Sequence, residues 1–177
     1  MPHPVHRVLH PFAAADGGGI EVTLQATADT WQIDYRIAAP GLKLPATVAA
    51  QRCDGLWLHT CCELFIATVD CPNYREFNFS PSGAWAVYDF ADYRQRLADP
   101  AVAIAPTLNW HSDATEHHLQ VTLPGELLPP GPWQISISAV LENQAGELAY
   151  WALHHPGERP DFHRRDAFTL LMDPHQP

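Results

Sequence analysis

The chain has 177 residues and a formal net charge of −10, a length that at roughly 100–200 residues per domain allows one domain and excludes a two-domain enzyme. With 46% of its residues hydrophobic and 10% aromatic, it can close a sizeable core and is too apolar to be intrinsically disordered. The acidic balance leaves no basic face to follow a phosphate backbone or an anionic membrane, so neither nucleic acid nor membrane is an expected partner.

At the N-terminus, histidines and prolines interrupt any apolar stretch in residues 1–18. No leader or transit peptide is expected, a cytoplasmic location is, and this part reads as a short irregular tail before a core of about residues 20–172. No run reaches the ~18 apolar residues of a membrane span. Ile20–Leu24 and Trp31–Ile37 place apolar residues at every second position on either side of Ala28-Asp29-Thr30, which predicts a hairpin. After a mixed, proline-containing stretch, a long strand is expected from Leu56 to about Val69. Leu56, Leu58, Thr60, Cys62, Leu64 and Ile66 would form its core face, and Trp57, His59, Cys61, Glu63, Phe65 and Ala67 its other, polar-aromatic face.

Further strands are expected at 74–80, 84–90, 102–110, 117–123, 133–141, 148–154 and 167–172, with Pro81-Ser82-Gly83 as a tight turn. Short helical turns are expected only at 92–97 and 124–128, and Asp173–Pro177 reads as a tail. About nine or ten short strands in residues 1–177 predict a single all-β domain, an antiparallel β-sandwich of jelly-roll-like type.

The chemistry-bearing residues point to binding more than to catalysis. No nucleophile elbow, phosphate-binding loop or zinc-protease motif is present, and no catalytic residue is assigned. Cys53, Cys61, Cys62 and Cys71 contain no C-x-x-C pair and are expected to remain thiols; no metal is expected. Trp31 and Trp133 suit a core, whereas Trp57 and Trp151 adjoin polar residues as a stacking platform would. The expected ligand groove is therefore lined by Trp57, His59, Glu63, Arg75, Glu76, Asn78, Trp151 and His154, for a sugar or similar polar ring. Three alternatives use the same residues: an enzyme acting on a small sugar-like metabolite through Glu63 or Glu76, a subunit interface or protein-interaction surface, or carboxylates paired with Arg36 for structure alone.

Trp57 followed by Glu63 within 55–66, then Tyr74-Arg75-Glu76-Phe77-Asn78-Phe79-Ser80-Pro81-Ser82-Gly83, and later Trp133–Ser138, Glu147–Trp151 and Pro160–Phe168, resemble the family-9 carbohydrate-binding modules and the related DOMON-like domains, here of a stand-alone bacterial kind. The resemblance implies a β-sandwich that binds sugar or haem without catalysis of its own. In the sugar-binding modules two tryptophans sandwich a terminal sugar; Trp57 and Glu63 match the first tryptophan and the glutamate, Trp151 the second tryptophan and Arg75 the arginine. Haem-binding relatives use an early Met and a late His. The methionines here are Met1 and Met172, so haem would need His59 with His154 or His155 instead, and no cofactor is expected.

Overall fold

The strict alternation of Ile20, Val22, Leu24 with Trp31, Ile33, Tyr35, Ile37 is what builds the first hairpin: all seven side chains are buried and the residues between them face out. In the computed structural model, which describes residues 3–14, 18–27, 29–113 and 115–173, these residues form β2 (Gly19–Ala26) and β3 (Thr30–Ala38), in register from Gly19↔Ala38 to Ala26↔Trp31. The remaining strands are β1 (Val5–Pro11), β4 (Cys61–Thr68), β5 (Tyr74–Phe79), β6 (Trp85–Phe90), β7 (Thr107–Ser112), β8 (Glu116–Pro124), β9 (Trp133–Glu142), β10 (Leu148–Ala152) and β11 (Leu170–Met172). Eleven strands are thus present among the described residues, all paired antiparallel, in the order β6-β5-β4-β9-β10-β1-β2-β3-β8-β7 with β11 added beside β9. None of the described residues forms a helix long and apolar enough to cross a membrane.

This ladder is folded into a sandwich. β1 pairs with β2 through Val5–Leu9 and with β10 through His10 and Pro11, so one strand passes from the β1-β2-β3-β8-β7 layer to the β6-β5-β4-β9-β10 layer. The two layers share a core that includes Leu9, Ile33, Tyr35, Leu64, Phe77, Ile137 and Trp151. Trp31 of β3 meets Trp133 of β9 edge to face at 5.0 Å between ring centres, and the Tyr35 hydroxyl crosses the core to donate to the Glu63 carbonyl at 2.9 Å. A tyrosine buried that deeply requires such an acceptor for its hydroxyl.

Several sequence expectations change, among them the strands expected at 102–110 and 167–172, which form only over Thr107–Ser112 and Leu170–Met172. Residues 5–11, read as part of an irregular tail, form β1; the pattern was masked because Leu9 is its one fully buried side chain while Val8 faces solvent. The long strand begins at Cys61 instead of Leu56, because Gly55 at φ 77° starts a 3-10 turn over Leu56–Leu58. Residues 92–97 form a non-helical turn, in which Asp92 Oδ1 accepts from Tyr93 N–H and the Ala91 N–H donates to the Gln95 carbonyl. The helical turn expected at 124–128 is present as Gly125–Leu127, and an unexpected one spans Arg165–Ala167. The segment 174–177 of the expected C-terminal tail lies outside the described residues.

The outer face of the β4-containing layer is not left to solvent. The chain after β10 folds back across it and seats Phe162, Ala167 and Phe168 against Phe65, Tyr74 and Phe90 in a second apolar cluster. β4 is consequently buried on both faces over Cys61–Ala67.

A candidate ligand groove on the outer sheet

At one end of this covered face the cover is incomplete and leaves a groove of about 430 Å³. Its floor follows from strand register. Glu63 on β4 lies opposite Asn78 on β5, and Phe65 opposite Glu76, which in turn lies opposite Tyr88 on β6. Glu63 and Glu76 are therefore diagonal neighbours on one face of adjacent strands, a placement that brings long side chains within reach of each other. Val140 on β9 and Phe90 complete the floor.

Three connecting segments make the walls. The 3-10 turn after Gly55 raises Trp57 to the lip, where it is 40% exposed and meets the Tyr88 ring edge to face at 5.9 Å. The turn after β6 bends back on its own strand, with Leu97 N–H donating to the Asp89 carbonyl, and brings Arg94 and Arg96 over the floor. Arg94 occupies the left-handed region at φ 54°. Its amide is held by the Tyr74 hydroxyl at 3.1 Å and its guanidinium by Asp161 at 2.9 Å. The third wall is Leu148 and Tyr150 of β10 together with Pro160–His163.

Electrostatically the floor is unusual. Glu63 is 2% exposed and Glu76 5%, and carboxylates that deep are normally paired with a cation. Here Glu63 accepts from Ser138 Oγ at 3.0 Å and Glu76 from Asn78 Nδ2 at 2.6 Å. Burial, and secondarily the Glu76 charge, raise the Glu63 carboxyl well above the ordinary carboxylate range. Burial likewise pushes Glu76 up to about 7, against the opposing effects of Asn78, Arg94 and Arg96. His163 Nε2 stands 3.7 Å from Glu76 Oε2, but burial and then the Arg94 charge push this imidazole down to about 4. The Tyr74 hydroxyl accepts from Arg94 N–H and so turns its own proton to His163 Nδ1 at 2.8 Å. That assigns the imidazole proton to Nε2, facing Glu76. Between about pH 4 and about 7 both groups are chiefly neutral, and the contact is not an ion pair.

The arginines above are already engaged. Arg96 donates to Asp99 at 2.7 Å and lies over the Tyr88 ring at 4.2 Å, while the Tyr88 hydroxyl donates to Asp54 at 2.7 Å. Arg52 binds the same Asp54 at 3.0 Å.

Of the eight residues expected to line a groove, three do: Trp57, Glu63 and Glu76. Asn78 lies beneath, fully buried, holding Glu76. The other four are elsewhere. His59 follows the 3-10 turn, which breaks the alternation, and its Nδ1 bonds Glu142 at 2.7 Å. Arg75 is on the opposite face of β5, where its guanidinium clasps Asp89 at 2.6 and 2.7 Å and donates to the Leu127 carbonyl at 2.6 Å. Trp151 is 5% exposed in the inter-layer core, because on β10 it is Leu148 and Tyr150 that face the groove. His154 is exposed beyond the end of β10. Arg36 pairs with Glu116 at 2.7 Å and not with Glu63 or Glu76. Sequence reasoning missed Tyr88, Arg94, Arg96, Tyr150, Asp161 and His163. The Tyr88 signal was available, since alternation along β6 puts it on the face of Ala86 and Phe90; Tyr150 is on the short strand β10, and the others sit on turns or depend on how a loop folds back.

The sequence matches no family model and no curated protein. Among solved structures the chain is similar to a protein from Bacteroides uniformis to which carbohydrate binding is ascribed, at 15% identity and a TM-score of 0.69, over 96% of this chain and 86% of that one. It is also similar to a family-9 carbohydrate-binding module from Caldicellulosiruptor kristjanssonii, at 8% identity. In that module's complex with cellotriose the TM-score is 0.55, with 84% of this chain and 72% of that one covered. In its complex with glucose the values are 0.52, 83% and 71%. The chain thus has the fold of these carbohydrate-binding domains.

Proposed function

We propose that the protein is a non-catalytic binding domain for a small sugar, held in the groove between Trp57 and the Glu63–Glu76 floor. The observation that carries this reading is the pairing of an exposed indole at the lip with buried hydrogen-bonding groups below it. A sugar ring offers both matching surfaces: C–H groups for the indole face and hydroxyls for the carboxyls. The groove's 430 Å³ lies toward the small end of small-molecule sites, which suits one or two rings. The similarity of fold to modules solved with glucose and cellotriose supports the same ligand class. In this reading Trp57 is the one tryptophan platform, with Tyr150 across the groove in place of the buried Trp151.

Calorimetric titration with glucose, cellobiose and other small sugars is the direct test. Saturable binding is expected, together with a loss of about tenfold in affinity in Trp57→Ala from the missing stacking area. Because Trp57 sits at the lip, the variant should melt as the native protein does. No heat with any sugar at millimolar concentration, or binding indifferent to Trp57→Ala, would remove the reading.

A further inference from the structure

The groove floor places two carboxyls side by side with no arginine or lysine of the described residues paired to them, and burial favours their protonated forms in the ligand-free protein. Among the described residues no arginine or lysine forms an ion pair with Glu63 or Glu76, and the nearest basic group, His163, is held neutral at ordinary pH. The two guanidinium groups at the rim do not fill the gap, since Arg94 is taken by Asp161 and Arg96 by Asp99. Glu63 receives one hydrogen bond on Oε2 and Glu76 one on Oε1. A carboxylate can accept several hydrogen bonds, so both retain acceptor capacity. The rest of the floor is Phe65, Val140, Tyr88 and Phe90, which bring no cation to the carboxyls, and aromatic faces favour a cation over an anion. Ionising both carboxyls in such a site is costly unless a positive partner is supplied, which a cationic ligand does as it binds.

We propose that the bound sugar is an amino sugar, its ammonium group placed between Glu63 and Glu76 and its ring against Trp57. This rests on the sugar-binding reading above and narrows it to one ligand class. A single ammonium has three donors, enough to reach both carboxylates across the diagonal that register fixes. A neutral hydroxyl can occupy the same place without stabilising the ionised carboxyls, and an acidic sugar would add a further carboxylate to the floor with no cation to offset it.

Titration of the intact protein near neutral pH with D-glucosamine, D-glucose, N-acetyl-D-glucosamine and D-glucuronate separates the possibilities. Glucosamine is expected to bind about tenfold or more tightly than glucose or N-acetylglucosamine, the range for hydrogen bonds to charged groups. Glucuronate is expected to bind more weakly than any of them. Glu63→Gln and Glu76→Gln keep shape and remove charge, so each should melt no lower than the native protein while reducing the glucosamine preference. Equal affinity for the neutral and amino sugars, or a preference for glucuronate through Arg94 and Arg96, overturns the amino-sugar proposal and leaves sugar binding standing. Absence of binding by all four overturns both.

Discussion

At the scale of single residues, Glu76 and His163 make opposed contributions to stability that pH can separate. The carboxyl of Glu76 is raised from its ordinary 4.5 to about 7 in the folded protein. The native state therefore holds a proton that the unfolded state releases, and stability falls as pH rises between those values. His163 is lowered from 6.5 to about 4. Its contribution is present above the unfolded value and is lost as pH falls toward 4, so across the same interval it tilts stability the other way. Glu63, also raised by burial, sides with Glu76. Native stability should decline from about pH 5 to about pH 8, while in Glu76→Gln the decline should shrink. The variant should be more stable than the native protein at pH 8, by on the order of 2–3 kcal/mol, and equal to it near pH 4.5. Urea denaturation at both pH values measures this; equal stability at pH 8 would mean that Glu76 ionises without penalty. A second residue-scale test concerns Ser136, whose hydroxyl is buried without a partner. Ser136→Ala removes an unsatisfied group and should leave stability unchanged or raise it by about 1 kcal/mol.

At the scale of elements, the groove exists because connections hold β4, β5 and β6 in one register. The β5–β6 turn sets the pairing of Glu76 with Tyr88: the Gly83 N–H donates to the Ser80 carbonyl at 3.0 Å with Gly83 at φ 96°. A Cβ there would stand 3.1 Å from the Val48 carbonyl oxygen. Gly83→Ala should therefore cost about 1–2 kcal/mol and weaken ligand binding together with stability, both readable from one series of melts with and without sugar. The same scale explains what the sequence disclosed. Period-two alternation revealed β2, β3, β5, β6, β8 and β9 almost to their ends, because each packs one face on a continuous core. It also put Glu63 and Phe65 on one face of β4 correctly. It failed where neighbouring residues do not share a strand: one left-handed glycine, Gly55, carries Trp57 to the groove yet turns His59 toward Glu142. It failed equally for β10. A five-residue strand with one exposed, two half-buried and two buried residues in sequence gives no internal cue as to whether Tyr150 or Trp151 faces the core. Arg94 and His163 were illegible because their position depends on a mutual contact, through Tyr74, between segments about seventy residues apart in sequence.

At the scale of the whole molecule, both layers and the groove depend on one seam. β1 bonds β2 through five residue pairs and then β10 through two, so it closes two strand edges that would otherwise be open to other chains. Leu9 stands at the crossing point, 1% exposed in the shared core. Truncating it leaves a cavity beneath both layers, and Leu9→Ala is expected to cost about 2–4 kcal/mol. If the layers fold as one unit, the loss shifts a single transition: tryptophan fluorescence, which reports Trp31, Trp133 and Trp151 in the core, and far-ultraviolet circular dichroism, which reports the strands, should fall together to the same lower denaturant midpoint. Sugar affinity well below that midpoint should stay unchanged, because Leu9 lies on the far side of the sheet from Glu63 and Trp57. Two separated transitions would instead show that the β4-containing layer, with its second apolar cluster around Phe65 and Phe168, holds together after the seam has opened.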